Sequence, residues 1–593
     1  MTEPAAGAAS AQLAGNPKSF SERVWTVAAF VFAAACVFCG LGSWALLNPD
    51  EGRNAAVALE MQKAGAWLVP LYNGIPYLDK PAFFFRTVAI SFSVFGRSEA
   101  AARVPSALFG FALLAMVFSF CRREYGWRTA ALAVVVLATA PMFVGLARMV
   151  IFDMGLALAI WASLFAAYIA EEKSGGARRA WWAASALAAA TATLIKGPVG
   201  FLLPLVVLLV LAAVERRPGV LGRIFSPVNF AVFFTVVLAW FVAVSLRRPD
   251  FPHYGVVEES LQRFTTAKFN RPGPFYYYVP VIAGFFFPWS AILPEALVAG
   301  WRARARALPA DRLFGVAAIV VPLFFSVSHS KLPQYVLPGI VAVGVLVARI
   351  FALAWENPRG RAAQLVMRAA VIAAAMSFAL AALLAVDVFH VRAILPALGV
   401  HNAGSLLLSG VFCPLLIALV VLGATTVTAR VLRSCRLAFV GFLLFLPVTL
   451  IAGRGELRVY AESVSSRALA RRVEMENPGG DVAMLECFSP GLPFYLSRPV
   501  FLVSGDGEET TSNYIAHILA KTPNEQDWPP TIVAPDRFAA WLAARQQPTI
   551  ILARNDERAE LEVLAASRSA AVEELQPGWW GALIPPPAGE GAH

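Results

Sequence analysis

The chain has 593 residues, of which 58% are hydrophobic and only 15% are charged, and its mean hydropathy is +0.65. Soluble globular domains carry about 25% charged residues, so this composition excludes an ordinary soluble protein and indicates a polytopic α-helical membrane protein. The formal charge of +11 comes largely from arginines in short loops between apolar segments, a pattern that reports membrane orientation and not a nucleic-acid partner.

Thirteen apolar segments are long enough to cross a membrane, for which a helix needs roughly 20 residues. They are predicted near 24–47, 101–121, 129–146, 151–170, 180–195, 198–214, 229–246, 278–299, 313–327, 336–354, 368–388, 404–428 and 437–452. Arginine or lysine occurs in every loop on one side, so the sequence predicts a bacterial inner-membrane protein whose N-terminal tail, residues 1–22, is cytoplasmic. The membrane domain is predicted to cover 23–452.

The outward side carries three long stretches. Residues 48–100 are predicted to form a first periplasmic loop with juxtamembrane helices, and 247–277 a second large loop. The tail, 453–593, alternates short β-favouring runs with polar helical runs, which indicates a small periplasmic α/β domain. Its Pro/Gly-rich end is predicted to be disordered.

Charged side chains cluster in the first outward loop. Asp50, Glu51 and Arg53 follow the first span, where the acids could cap a helix or act in catalysis, and the two roles do not exclude each other. Tyr77, Asp79 and Lys80 stand further along the same loop; a solvated surface pair is the alternative for the last two.

Further charges recur at the outward ends of later spans. They are Arg148, Asp153, Lys196, Arg263 and Lys331, the last followed by Gln334 and Tyr335. Ionisable groups at the membrane edge are candidate functional residues. Lysine and arginine converging on one face suit a lipid-linked phosphate, although snorkelling to the interface explains any one of them taken alone.

Eight ordered blocks carry a family resemblance. They are Asp50-Glu51-Gly52-Arg53, Asn73 to Pro81, Ala102 to Ser106, Asp153-Met154, Ile195 to Pro198, Gln262-Arg263-Phe264, Gly273 to Tyr278 and Ser330 to Pro338. With these blocks the chain resembles the ArnT-like and protein O-mannosyltransferase superfamily of GT-C glycosyltransferases over nearly its whole length. The resemblance implies a thirteen-helix bundle with a cavity open to lipid and periplasm, and a polyprenyl-phosphate sugar donor that needs no nucleotide.

The resemblance also implies roles for individual residues. Asp50 is expected to be the carboxylate acting at the acceptor, with Asp153 a second catalytic acid. The expected ligands of the donor phosphate are Arg53, Lys80, Arg263 and Lys331. The expected pocket residues are Glu51, Tyr77, Asp79, Arg148, Lys196, Gln334 and Tyr335.

The chain departs from the family at one possible metal site. Many ArnT-like relatives carry a histidine where this chain has Ser260, and that histidine with an acid at the position of Asp79 resembles a metal site. With the histidine absent, and with no zinc spacing among the six cysteines, no bound metal is predicted.

The acceptor is open at the level of sequence. The blocks around Lys80 and Lys331 look more ArnT-like than mannosyltransferase-like, which favours transfer to lipid A or a related envelope glycan. A protein O-mannosyltransferase-like enzyme with a protein acceptor is the alternative within enzymes, and a lipid-linked substrate transporter or flippase is the alternative outside them. The identity of the sugar is not encoded in any motif.

Overall fold

The computed structural model describes residues 17–262, 273–297, 307–390, 405–522 and 524–586. Most of the predicted N-terminal tail, Arg263 in the second outward loop and the predicted disordered end from residue 587 lie outside the described residues. Among those described, helices predominate, and a mixed β-sheet occurs near the C-terminus.

Within the described residues, the membrane part contains seventeen α-helices of six residues or more, several shorter helical segments and one short hairpin. The helices are α1 Pro17–Phe38, α2 Asp50–Ala64, α3 Phe83–Phe95, α4 Glu99–Tyr125, α5 Trp127–Leu137, α6 Pro141–Ala147, α7 Asp153–Glu171, α8 Gly175–Lys196, α9 Val199–Val214, α10 Gly219–Ile224, α11 Pro227–Arg247, α12 Tyr278–Phe285, α13 Pro309–Val327, α14 Leu337–Glu356, α15 Arg361–His390, α16 Ser405–Val431 and α17 Cys435–Ala452. A π-helix, Tyr254–Gln262, follows α11, and strands β1 Leu71–Tyr72 and β2 Ile75–Pro76 pair between α2 and α3.

The predicted polytopic architecture is confirmed. Within the described residues, nine helices are long and apolar enough to cross a membrane, and two bent pairs bring the number to eleven. The remaining two predicted spans, 180–195 and 198–214, correspond to α8 and α9. Each of the thirteen predicted segments therefore has a helical counterpart.

The spans are less regular than the sequence pattern suggests. The third predicted span is bent by 70° between α5 and α6, and the eighth by 116° after α12. Pro141 and Pro288 stand at these breaks, because proline cannot donate the next helical hydrogen bond. The first span is shifted: α1 ends at Phe38, and the chain from 39 to 47 is not helical.

The C-terminal part is an α/β domain built on a six-stranded sheet. Its strands are β3 Asp481–Leu485, β4 Phe501–Val503, β5 Ile532–Val533, β6 Thr549–Arg554, β7 Val572–Gln576 and β8 Trp579–Ile584, in the spatial order β5-β4-β3-β6-β8-β7. The first four are mutually parallel, and β8 is antiparallel to both β6 and β7. Its helices are α18 Arg454–Val464, α19 Arg467–Glu476, α20 Leu492–Leu496, α21 Asn513–Lys521, α22 Phe538–Ala543 and α23 Arg558–Ser567.

A two-residue turn holds this domain against the first outward loop. Asn73 and Gly74, both with positive φ, close the β1–β2 hairpin, as an Asn-Gly pair does in a type I′ turn. The Asn73 amide donates to the Val500 carbonyl and accepts from the Val500 amide, both at 2.8 Å. Thr531 donates to the Asn73 carbonyl at 2.7 Å. The hairpin therefore fixes the C-terminal domain over α2.

Gly52 marks a second close approach, between α2 and the loop before α20. A Cβ atom built on Gly52 would stand 2.7 Å from the Gly491 Cα and 2.8 Å from its amide nitrogen, and would overlap the Asn48 side chain. Because backbone atoms cannot move aside as a flexible side chain can, Gly52→Ala is expected to loosen the C-terminal domain and to speed its proteolytic release from membranes. Limited proteolysis measures this.

Gly315→Ala in α13 is the matched control, since a Cβ atom there meets nothing within 4 Å. This substitution should leave the cleavage rate unchanged and raise helix stability slightly. Equal cleavage rates for Gly52→Ala and the parent chain would show that the two backbones do not need this contact.

Candidate active-site cavity

A cavity of about 1290 Å³ lies between the membrane helices and the C-terminal domain. Its wall is formed by the start of α2, the loop before α3, the start of α7, helices α8, α9 and α11, the π-helix, the chain from 324 to 338 and residues 508–516 of the C-terminal domain. Its charged lining residues are Asp50, Arg53, Asp79, Lys80, Asp153, Lys196, Glu259 and Glu508.

The rest of the cavity is an apolar groove along α8, α9 and α11. Its lining residues include Leu205, Leu208, Phe230, Phe233, Phe234, Val237 and Leu238. Serines on α7 and α8 and Asn229 at the start of α11 lie at its far end. The cavity is therefore polar at the end that meets the C-terminal domain and apolar along the depth of the bundle.

Asp50 and Arg53 share the first turn of α2. The residue preceding the helix is Pro49, which makes no side-chain cap, so Asp50 does not act as the N-cap. Its Oδ1 accepts from Arg53 Nη2 at 2.6 Å. Burial would lower the pKa of Arg53, but the nearby Tyr77 and Asp50 outweigh it and raise that pKa above its ordinary value. Arg53 is consequently a permanent cation beside Asp50.

Asp79 and Lys80 connect the first loop to two other segments. Asp79 Oδ1 accepts from the Tyr254 hydroxyl at 2.6 Å and from the Tyr514 amide at 2.8 Å. Lys80 donates to the Asp79 carbonyl at 2.6 Å and forms an ion pair with Glu259. Neither residue of this sequence pair is an isolated surface charge.

Tyr77 lies buried beside them, where burial raises the pKa of its hydroxyl far above the usual value.

The Asp79 carboxylate is surrounded by hydrogen-bond donors. One oxygen of the Asp79 carboxylate already accepts hydrogen bonds from the Tyr254 hydroxyl and the Tyr514 amide, and these donors compete with a metal ion for its lone pairs. Within the described ranges no three His, Cys, Asp or Glu side chains converge on a metal-sized site. The side chain of Ser260 lies outside the described part of the structure.

Asp153 and Lys196 form a buried ion pair at 2.6 Å. Asp153 opens α7 and Lys196 closes α8, so each charge complements the partial charge of its helix end. The Lys196 ammonium also lies 4.9 Å from the centre of the Tyr335 ring. Asp153 Oδ2 and Arg53 Nε are buried and have no hydrogen-bond partner among the described residues.

Only some of the other predicted site residues line the cavity. Gln334 and Tyr335 line the cavity. Lys331, a predicted phosphate ligand, is not among the residues that line the cavity; it is buried, and its ammonium donates to the Ser328 carbonyl at 2.6 Å. Two predicted pocket residues, Glu51 and Arg148, lie outside the cavity wall.

Glu51 is wholly buried and pairs with Arg103, at 2.8 Å from both Nε and Nη2. Arg148 donates to the carbonyls of Cys36 and Val37 and lies over the Trp44 ring. Both side chains are held by structural partners and point into the bundle. The prediction that Glu51 and Arg148 belong to the pocket is therefore wrong.

Comparison with known proteins shows what this chain resembles. The sequence model described as dolichyl-phosphate-mannose-protein mannosyltransferase matches residues 79–246. The crystal structure of ArnT from Cupriavidus metallidurans bound to undecaprenyl phosphate is 28% identical, with a TM-score of 0.76 over 94% of this chain and 98% of that chain. The chain has the GT-C fold of ArnT and is similar to that protein over nearly its whole length. The crystal structure of the same Cupriavidus metallidurans ArnT in the apo state superimposes on this chain with a TM-score of 0.75.

Relatives with curated names match this ArnT-like chain over a shorter stretch. The undecaprenyl phosphate-α-4-amino-4-deoxy-L-arabinose arabinosyl transferases of Serratia proteamaculans and Yersinia enterocolitica are 29% and 31% identical. The match with the first covers 55% of this chain and 58% of the relative. The chain thus spans little more than half the length of these relatives. An oligosaccharyltransferase from Archaeoglobus fulgidus, 10% identical with a TM-score of 0.50, shares the fold alone.

Several cavity residues of the ArnT-like chain were not predicted from sequence. Glu259 lies directly before Ser260, the position compared with the family, and its acid group was a usable signal. Glu508, Thr511 and Asn513 gave none, because they lie more than 400 residues from Asp50 in a domain with no recognised motif.

Proposed function

We propose that this chain is an inverting glycosyltransferase that moves a sugar from a polyprenyl phosphate, such as undecaprenyl phosphate, to lipid A or a related envelope glycan. The observation that carries the proposal is the form of the cavity, in which acids and fixed cations at one end join an apolar groove. A lipid-linked sugar phosphate has the same division between a charged head and an apolar tail.

The groove along α8, α9 and α11 suits the prenyl chain of the donor. Its leucine and phenylalanine side chains offer an apolar wall, and Arg53, Lys80 and Lys196 stand where that wall meets the polar end. Ammonium and guanidinium groups bind phosphate oxygens by charge-assisted hydrogen bonds. The donor phosphodiester carries one negative charge and the departing polyprenyl phosphate up to two, so the leaving group would compete with Glu259 for Lys80 more strongly than the donor. The undecaprenyl phosphate bound to the similar ArnT structure supports this assignment.

The proposed reaction is a direct displacement at the anomeric carbon. An acceptor oxygen forms the new bond to C1 while the bond from C1 to the phosphate oxygen breaks, and its electron pair leaves with the polyprenyl phosphate. The proton of the acceptor hydroxyl passes to the Asp50 carboxylate. The cations stabilise the charge that develops on the departing phosphate. Asp153 lines the cavity beside Lys196, where its carboxylate would accept a hydrogen bond from a sugar hydroxyl.

The proposal has two versions, which differ in whether the acceptor is lipid A or a protein. Lipid A is favoured by the ArnT-like blocks at Lys80 and Lys331, whereas the matched mannosyltransferase family model favours a protein. Purified protein given undecaprenyl phosphate-4-amino-4-deoxy-L-arabinose and either lipid A or a mixture of periplasmic proteins tests both by mass spectrometry. A sugar-sized mass gained by lipid A supports the proposal, and one gained by protein alone replaces its acceptor.

The rival function, lipid-linked substrate transport, has its own outcome in the same experiment. Movement of the labelled donor between leaflets of proteoliposomes, with no sugar gained by either acceptor, would overturn the proposed transfer. A panel of other polyprenyl-phosphate sugars guards against a wrong choice of sugar. Mass spectrometry of envelope lipids and glycoproteins from deletion and parent strains gives the same information in cells.

We further propose that the cavity opens to the periplasm, with the N-terminus in the cytoplasm. Basic residues in alternate loops support this orientation. Fusion of alkaline phosphatase after the C-terminal domain should give active enzyme, because that enzyme folds only outside the cytoplasm, whereas a fusion in the loop between α4 and α5 should not. The reverse result would place the cavity on the cytoplasmic side.

Lys80 gives a direct test of donor binding. Lys80→Met keeps the length of the aliphatic stem but removes the charge, and it should weaken undecaprenyl phosphate binding by about 10- to 100-fold, as expected for hydrogen bonds to a charged group. Equilibrium binding to detergent-purified protein measures this. Lys63→Met, at an exposed lysine that donates to the Ser497 carbonyl, is the control. Equal affinity in the two variants would remove Lys80 from the phosphate site.

A further inference from the structure

The C-terminal domain inserts a preformed turn into the cavity. Ser504 accepts from the Gly507 amide at 2.8 Å and donates to Glu509 at 2.7 Å, which folds residues 504–509 on themselves. Thr510 donates to the Gly507 carbonyl, and Ser512 caps α21 through the Ile515 amide. The turn therefore owes its shape to its own domain and not to the membrane helices.

Thr511, at the end of this turn, has an unfavourable backbone. Its φ of 56° and ψ of 24° lie in the left-handed region, where a β-branched residue is a genuine outlier. Glycine or asparagine would adopt this conformation with less strain. Strain of this kind persists where the surrounding structure enforces it, and it concentrates at functional sites.

The hydroxyl and the carbonyl of Thr511 both face the Arg53 guanidinium. Arg53 Nη1 donates to the Thr511 hydroxyl at 2.9 Å and to its carbonyl at 3.2 Å, while Nη2 of the same guanidinium donates to Asp50 at 2.6 Å. A planar guanidinium presents its donors in a fixed fork, so holding one side of it sets the direction of the other. Asp50, Arg53 and Thr511 all line the cavity.

We propose that Thr511 is a positioning residue of the active site, which holds Arg53 from the C-terminal domain and thereby orients Asp50 toward the acceptor. The inference rests on the proposed function. It makes the C-terminal domain a working part of the catalytic centre, because the oxygen atoms that hold the guanidinium come from across the domain boundary.

Three substitutions separate this role from a purely structural one. Thr511→Val keeps the β-branch and the strain but loses the hydroxyl, and it should lower kcat about tenfold with the donor KM unchanged within twofold. Thr511→Ser keeps the hydroxyl and should retain at least half of the parent kcat. Thr511→Gly removes the strain together with the hydroxyl, so its Tm should equal or exceed that of the parent while kcat again falls about tenfold.

Thr511→Gly decides between the two roles. If Thr511 only shaped the turn, relief of strain would leave kcat at the parent value, and that result overturns the proposal. Ser569→Gly is the matched control, because Ser569 is an exposed residue of the same domain with a φ of 56°. It should raise Tm without changing kcat.

A thermal measurement tests the contact independently of turnover. Thr511→Val should lower Tm in the parent chain but not in an Arg53→Ala background, since the hydrogen bond is then already absent. Equal Tm shifts in both backgrounds would overturn the proposed hold on Arg53. A parent protein that transfers no sugar, combined with unequal shifts, would refute the proposed function while leaving the contact established.

Discussion

Replacing Asp50 by asparagine is expected to lower kcat by about 10²- to 10⁴-fold, the usual contribution of a positioned proton acceptor. The amide oxygen of asparagine can still accept from Arg53, so the geometry of the first turn of α2 is preserved. What is lost is the capacity to take the acceptor proton. Single-turnover measurements with saturating donor and acceptor isolate this step from substrate binding.

Two comparisons make the Asp50→Asn result specific. Asp536→Asn, at an exposed aspartate of the C-terminal domain, should leave kcat unchanged. Undecaprenyl phosphate affinity of Asp50→Asn should stay within a few-fold of the parent value, because Lys80 and Lys196 remain. Full activity in purified Asp50→Asn protein would remove Asp50 from proton transfer and would leave Asp153 as the candidate base.

Replacing Glu51 by alanine is expected to abolish accumulation of folded protein. Glu51 and Arg103 are both wholly buried, and their side chains meet in a two-pronged ion pair. Truncating one partner leaves the other as an unpaired buried charge, which typically costs about 3–5 kcal/mol of stability. The amides of Leu47 and Val150 would also lose their acceptor. Yield in the membrane and thermal unfolding in detergent measure the loss.

The Arg558–Glu562 pair provides the matched control for Glu51→Ala. Its two side chains are about half exposed and 2.7 Å apart on α23, so Glu562→Ala should cost at most a few tenths of a kcal/mol. Similar yields and Tm values for Glu51→Ala and Glu562→Ala would mean that the buried pair does not hold the first outward loop against α4.

The helical bundle could be predicted because its signal is local. An apolar run of about 20 residues specifies a spanning helix without reference to any other segment, and all thirteen runs led to helices. The errors occurred where a distant group changed the backbone. Residues 39–47 are apolar but not helical, and Arg103 of α4 binds the carbonyls of Leu41, Trp44 and Ala45 in this segment.

The cavity was predicted only in part, because sequence adjacency does not set side-chain direction. Asp50 and Glu51 are neighbours, but consecutive residues of a helix point about 100° apart, so Asp50 lines the cavity and Glu51 faces Arg103. Asp79, Lys80, Asp153 and Lys196 carried recognisable motifs and do line the cavity. Their catalytic and binding roles stay predictions.

Partners from distant segments were beyond the reach of sequence reasoning. Tyr514 donates its backbone amide to Asp79, a contact between residues 435 positions apart that any side chain at 514 could make. A hydrogen bond from the backbone amide does not restrict the type of residue at that position. An ion pair such as Lys80–Glu259 does require charged residues, but the sequence contains many acids and bases that could pair equally well, so it does not show which of them meet.

The C-terminal domain contacts α2 at two points, Gly491 and Thr511, and both lie in connections that follow neighbouring strands of its sheet. The loop containing Gly491 follows β3 and the turn containing Thr511 follows β4, so both leave the carboxyl ends of adjacent parallel strands. Connections of this kind accept insertions and new residues without disturbing the strands that carry them. The part of the cavity wall formed by residues 508–516 can therefore change during divergence without a change in the membrane helices that form the apolar groove.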